Sequence, residues 1–128
     1  MRADRCPCLS GNPYDECCGP LHRGAAAPTA ERLMRSRFSA FALRLPDYLL
    51  ATWHPRARPA ELELDPDTRW QRLDIVRVES GGPFDRSGVV EFRAFWRSGE
   101  DRGDLHETSR FVRDSGPWLY LDGEPGPA

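Results

Sequence analysis

The chain has 128 residues, 39% of them apolar and 30% charged, with a net charge of −2. Four Trp, three Tyr and six Phe can furnish one modest core, which excludes wholesale disorder. No apolar stretch approaches the ~20 residues of a membrane-spanning helix, and the charge balance offers nothing to nucleic acid. All 18 basic residues are arginine, but they are spread along the whole chain and read as compositional bias rather than an anion site. Met1 to Pro20 is interrupted by Arg, Asp, Pro and Cys, so it does not read as a secretory leader and the expected location is the cytoplasm.

Residues 1–28 hold all four cysteines and many Pro and Gly, and close on the linker-like Gly24-Ala25-Ala26-Ala27-Pro28. Cys6-Pro7-Cys8 and Cys17-Cys18 form a Cys-x-Cys…Cys-Cys set. Tetrahedral zinc needs four soft donors about 3.8 Å apart, and two close pairs joined by a turn-rich loop can supply them. A segment with so few apolar side chains cannot order itself by burial alone, and a structural metal would contribute about 10 kcal/mol or more. Zn²⁺ on Cys6, Cys8, Cys17 and Cys18 is therefore the expected cofactor and site. Iron and disulfides compete with it, although a bond between adjacent cysteines is strained. His22 stands as an alternative ligand to Cys18.

From Thr29 the period becomes helical. Thr29 is a plausible N-cap, Glu31 complements the helix dipole, and Met34, Phe38, Phe41, Ala42 and Leu45 form one apolar stripe. Arg32, Arg35, Ser36 and Ser39 fall mainly on the other side. Pro46 breaks this helix and opens a second one that His54-Pro55 stops. Residues 55–68 read as an irregular loop. Beyond them the period changes to 2, and Leu73–Ser80, Gly88–Arg97, Asp104–Arg113 and Trp118–Asp122 read as strands. The short connections demand antiparallel neighbours, giving an α+β architecture with helices on one face of a four-stranded meander.

Polar candidates for a second site are Tyr48, His54, Glu91, Arg93, His106, Glu107 and Arg110. If the second and third strands form a hairpin centred near Asp101, His106 and Arg110 share the inward face of Phe92, as proton carrier and anion clamp. A slip of one residue would place Glu107, Ser109 and Phe111 inward instead, and Gly99 to Gly103 does not fix the register. The competing reading is structural: Glu91 and Glu107 pair with arginines, and His54 interacts with a helix end. No phosphate-binding glycine loop or nucleophile elbow occurs, and four thiolates leave zinc no open position, so nothing marks a catalytic residue.

Cys6-Pro7-Cys8-Leu9-Ser10-Gly11-Asn12-Pro13-Tyr14-Asp15-Glu16-Cys17-Cys18-Gly19 resembles a SEC-C motif, the zinc-binding module also found at the end of the preprotein translocase ATPase. Leu33 to Phe41, Tyr48 to Pro55, Val90 to Ala94 and His106 to Phe111 resemble the bacterial YchJ-like family, itself functionally uncharacterised. The resemblance implies a SEC-C zinc module over 1–28, followed over 29–128 by a nuclear transport factor 2-like domain, a cone of helices packed on a curved antiparallel sheet. Leu9 departs from the Gly common at its position. Asp15 and Glu16 stand where the translocase version is lysine-rich; that version is associated with an acidic chaperone surface, which an acidic loop would repel. The expectation is a noncatalytic module that docks another protein, in secretion or at the ribosome. The alternative is a small-molecule binder or enzyme using a cone pocket near His106 and Arg110.

Overall fold

The structure, a computed structural model, describes residues 5–114 and 116–125. The first four residues of the expected module, Ser115 of the last expected turn and the final three residues lie outside that range. Cys6 donates its backbone N–H to the Asn12 carbonyl at 3.0 Å, closing the first cysteine loop. A 3₁₀ turn over Tyr14–Glu16 and a short helix α1, Cys18–His22, carry the second pair. Thr29 caps helix α2, Ala30–Leu43, by accepting the Arg32 N–H on its hydroxyl at 3.1 Å, as its position predicts. Arg44 ends the helix in a left-handed conformation, and Pro46 occupies the first turn of α3, Pro46–Ala51, where its fixed φ suits a helix start. No described helix is long and apolar enough to cross a membrane.

Four strands follow, β1 Arg69–Ser80, β2 Ser87–Ser98, β3 Asp101–Val112 and β4 Leu119–Pro125, antiparallel in the order β1-β2-β3-β4. All four are the predicted strands: β2 is one residue longer at each end, β1 and β3 begin earlier than expected, and β4 runs on to Pro125. Gly81 shows why a tight β1–β2 corner needs glycine: its φ is +80°, its carbonyl accepts the Ala30 N–H at 2.9 Å, and a Cβ there would lie 2.8 Å from the Ala30 Cβ.

Helix α2 lies on the inner face of the sheet. Leu33, Met34 and Phe38 pack with Leu73, Val90, Phe92, Phe111 and Trp118 in one buried cluster. Each such side chain contributes roughly 1.5–3 kcal/mol by leaving water. Ser36 and Ser39, expected on the polar side, are fully buried. The reason is that the cysteine module covers that second flank, and all four cysteines belong to the same cluster as Phe38. The amphipathic pattern of α2 is thus incomplete because the helix is covered on two sides.

The β2–β3 register decides which side chains reach the interior. Ser98 pairs with Asp101, leaving Gly99-Glu100 as a two-residue turn in which Gly99 has φ +61°. Phe92 consequently faces Glu107, Val90 faces Ser109 and Gly88 faces Phe111. The slipped alternative is the one adopted, and the inward placement of His106 and Arg110 is corrected: both point to the outer face. The gain is physical, because Phe111, now 0% exposed, joins the core instead of Arg110.

Candidate metal centre

Two chain reversals bring the cysteines together. The Sγ atoms of Cys6, Cys8, Cys17 and Cys18 all lie within 4.8 Å of one another, and the four residues are 0–2% exposed. Cys8 to Cys17 measures 3.6 Å and Cys17 to Cys18 measures 4.0 Å, bracketing the ~3.8 Å edge of a tetrahedral zinc–thiolate site. These separations are far beyond the ~2.05 Å of a disulfide, and all four are free thiols. The group can hold a metal ion, and its all-sulfur, closed and buried donor set suits a structural rather than a catalytic one.

Around the sulfurs the chain supplies oriented donors, largely from α2. Ser39 lies 3.3 Å from the Cys18 sulfur and 3.4 Å from that of Cys6, and the Ser10 hydroxyl lies 3.1 Å from that of Cys17. Arg32 donates to the Cys17 carbonyl at 3.0 Å and Arg35 to the Cys8 carbonyl at 3.3 Å, so both cysteine loops are pinned to one helix. Such outer partners fix ligand orientation. Hydrogen bonds from Cys18 and then Cys8 hold the Cys6 thiol far below its ordinary value. Hydrogen bonding to Cys6, then to Cys8, followed by burial, pushes Cys18 far above it. Four sulfurs this crowded cannot all ionise without a cation among them.

His22 is committed elsewhere. Its Nε2 donates to the Ser36 carbonyl at 2.8 Å, leaving Nδ1 to accept the Tyr14 hydroxyl at 2.6 Å. Tyr48 stacks edge-on against it at 4.6 Å and shares a 2.7 Å hydrogen bond with Ser36. Tyr48, expected near a pocket, and His22, expected as an alternative metal ligand, therefore form the joint between module and scaffold.

The other candidates separate into surface pairs. His106 lies 2.6 Å from Glu91 on the outer face, and Arg77 donates to the same carboxylate at 3.2 Å. These partners, His106 foremost, hold the Glu91 carboxyl below its usual range. Arg93 pairs with Asp104, and Arg110 with Asp122. His54 donates its backbone N–H to the Tyr120 carbonyl, takes the Arg56 N–H on Nδ1 and lies 3.9 Å from Asp114 through Nε2, so its contacts run to β4 and the following turn rather than to the end of α3. None of Glu91, His54, His106 and Arg110 lines a cavity between helix and sheet.

A cavity of about 270 Å³ does exist between α2 and the sheet; of the expected polar candidates Glu107 alone lines it, joined by Ser109 of the same slipped register and by Arg37 and Tyr120. Arg37 is 4% exposed, donates from Nη1 to the Leu49 carbonyl at 2.8 Å and the Thr52 hydroxyl at 2.7 Å, and lies over the Tyr120 ring at 4.6 Å. Burial lowers its guanidinium to about 10. Glu107 accepts the Ser109 hydroxyl at 2.5 Å and the Tyr120 hydroxyl at 3.4 Å. Arg37 escaped the sequence reading because it sits among charged residues of an amphipathic helix. The shared parity of Leu105 and Phe111 in β3 was the signal that could have chosen the register with Glu107 inward over its alternative.

Comparison with known proteins agrees with this arrangement from end to end. The family model described as "YchJ, middle NTF2-like domain" matches residues 29–123, and the SEC-C motif matches residues 2–20. A UPF0225 protein of Streptomyces coelicolor is 53% identical over 125 residues, covering 97% of this chain and 98% of the relative. A UPF0225 protein of Corynebacterium glutamicum is 50% identical, covering 94% and 96%. The solution structure of a SEC-C motif containing protein from Rhodopseudomonas palustris superposes with a TM-score of 0.82 at 35% identity, covering 95% and 98% of the two chains. A crystal structure of a SEC-C motif containing protein from Psychrobacter arcticus gives 0.74 at 30% identity, covering 96% and 83%. With the cysteine motif and the helix-on-sheet domain both matched across nearly the whole length, the chain belongs to the YchJ-like UPF0225 family.

Proposed function

We propose that the chain is a noncatalytic protein-interaction module in the cytoplasm, in which residues 1–28 fold around one Zn²⁺ and residues 29–128 serve as its rigid α+β scaffold. The observation that carries this reading is the closed set of four buried sulfurs at zinc-like separations. Cys6, Cys8, Cys17 and Cys18 would ligate the ion, which supplies folding free energy and no reactive position.

Leu9 supports a docking role. It occupies the tip of the first cysteine loop with φ +62° and is 53% exposed. Backbone strain at an exposed apolar side chain is maintained where that side chain has work to do. Exposed Asp15 and Glu16 on the adjoining loop favour a partner with a basic surface around an apolar contact. Components of the secretion machinery or the ribosome are the partner class this reading carries forward from the motif. The alternative of an enzyme built on His106 and Arg110 loses its site, since both side chains are engaged on the outer face.

The test compares partners captured by the wild type, by Cys17→Ser and by Leu9→Ala. The reading expects loss of the same partner from both variants, with Leu9→Ala still folded and metal-loaded. An identical partner list for all three, with Cys17→Ser free of metal, would overturn it.

A further inference from the structure

The cavity between α2 and β3 holds two opposite charges that are not paired with each other. Arg37 is buried, and its hydrogen bonds run to a carbonyl and a hydroxyl. Glu107 takes its hydrogen bonds from two hydroxyls, those of Ser109 and Tyr120. No ion pair to either residue occurs among the described residues. Trp53 belongs to the same cavity wall, and the Arg37 guanidinium lies over its ring at 5.3 Å.

From these groups we propose that the cavity is a binding site for a small, net-neutral, planar aromatic molecule whose polar substituent carries both a hydrogen-bond acceptor and a hydrogen-bond donor. The acceptor faces Arg37, and the donor faces Glu107. Charge selects against the alternatives. An anion gains Arg37 but meets the Glu107 carboxylate, and a cation gains Glu107 but meets the guanidinium. In a low-dielectric cavity either repulsion is costly, whereas a neutral molecule with its dipole aligned between the two gains from both. Phe38, Phe41 and Trp70 supply apolar aromatic walls that suit a flat ring. The volume of about 270 Å³ lies just under the ~300 Å³ at which drug-sized sites begin, so one ring with a short substituent fills it. Leu105 lines the cavity while remaining 40% exposed, which puts the opening beside it. None of these residues ligates the metal, so the inference stands apart from the zinc reading.

Three molecules of nearly one shape separate the possibilities: neutral benzamide, anionic benzoate and cationic benzamidinium. They are titrated into the full-length, metal-loaded protein and followed by amide chemical shifts. Benzamide is expected to bind saturably with a Kd on the order of 1 mM, as suits nine non-hydrogen atoms, with shifts centred on residues 34–41, 53 and 105–109. Benzoate and benzamidinium are expected to bind at least about tenfold more weakly. Glu107→Gln, which preserves shape, is expected to strengthen benzoate by about tenfold or more. Leu105→Trp, at an exposed position, should block all three while leaving the spectrum folded. Absence of a saturable response to benzamide, shifts that map elsewhere, or equal binding of a charged analogue by the wild type would overturn the proposal.

Discussion

Leu9 shows how one residue records a conflict between backbone and side chain. Its φ of +62° lies in the left-handed region, which costs a non-glycine residue about 1–2 kcal/mol and explains why glycine is common there in SEC-C motifs. Leu9→Gly should therefore stabilise the protein, by up to about 1 kcal/mol after the greater flexibility of unfolded glycine is offset. Chemical denaturation of the metal-loaded protein measures it, and a destabilised variant would show that the Leu9 side chain contributes packing instead. The three tyrosines give a second residue-level prediction. Burial raises Tyr14 and Tyr48 above the ordinary phenol value, and burial with the Glu107 charge pushes Tyr120 up to about 12. The folded chain then keeps protons that the unfolded chain releases near pH 10, so this contribution to stability is complete below pH 10 and fades as pH rises toward 12. In the folded protein Tyr120 should form no phenolate at pH 10, and Tyr14 and Tyr48 should titrate above free tyrosine. Three tyrosines that titrate together as free phenols in the folded protein would contradict the buried placement.

Helix α2 is the element on which both halves depend. One flank packs on the sheet through Phe38, and the other holds the cysteine loops through Arg32, Arg35 and Ser39. Leu33→Ala, at a residue 2% exposed in the shared cluster, should cost about 2–5 kcal/mol and accelerate loss of metal to a chelator. Metal release at the wild-type rate would show the two flanks to be independent. The same helix marks where sequence reading succeeds and fails. Its start at Thr29, its stop before Pro46 and the cysteine set are written in local chemistry, so they were legible. The burial of Ser36 and Ser39 was not, because it depends on a module that packs back from outside the helix. The strand register failed for a similar reason. Residues 99–103 offer several turns of comparable quality, and only the fit of Phe111 against β2 chooses among them. Hence His106 and Arg110 were candidates, while Arg37 and Tyr120, brought together from distant segments, were not.

At the scale of the whole molecule, the N-terminal module joins the core mainly through its four cysteines, with Leu21 and Ala27 as its aliphatic members of the same cluster. Its order should therefore be linked to metal, and acid should release that metal as thiolates protonate. The direction follows from mass action: protons and the ion compete for the same sulfurs, so apparent affinity falls as pH falls. The cavity under α2 lies in the other half, and its binding behaviour should survive conditions that leave the sheet intact.

The central claim is most directly tested by native mass spectrometry of freshly reduced protein, combined with amide spectra before and after chelation. One Zn²⁺ per chain is expected, and its removal should collapse the dispersed signals of residues 5–23. Reduced protein that carries no metal, takes none up and still shows ordered cysteine loops would contradict the account.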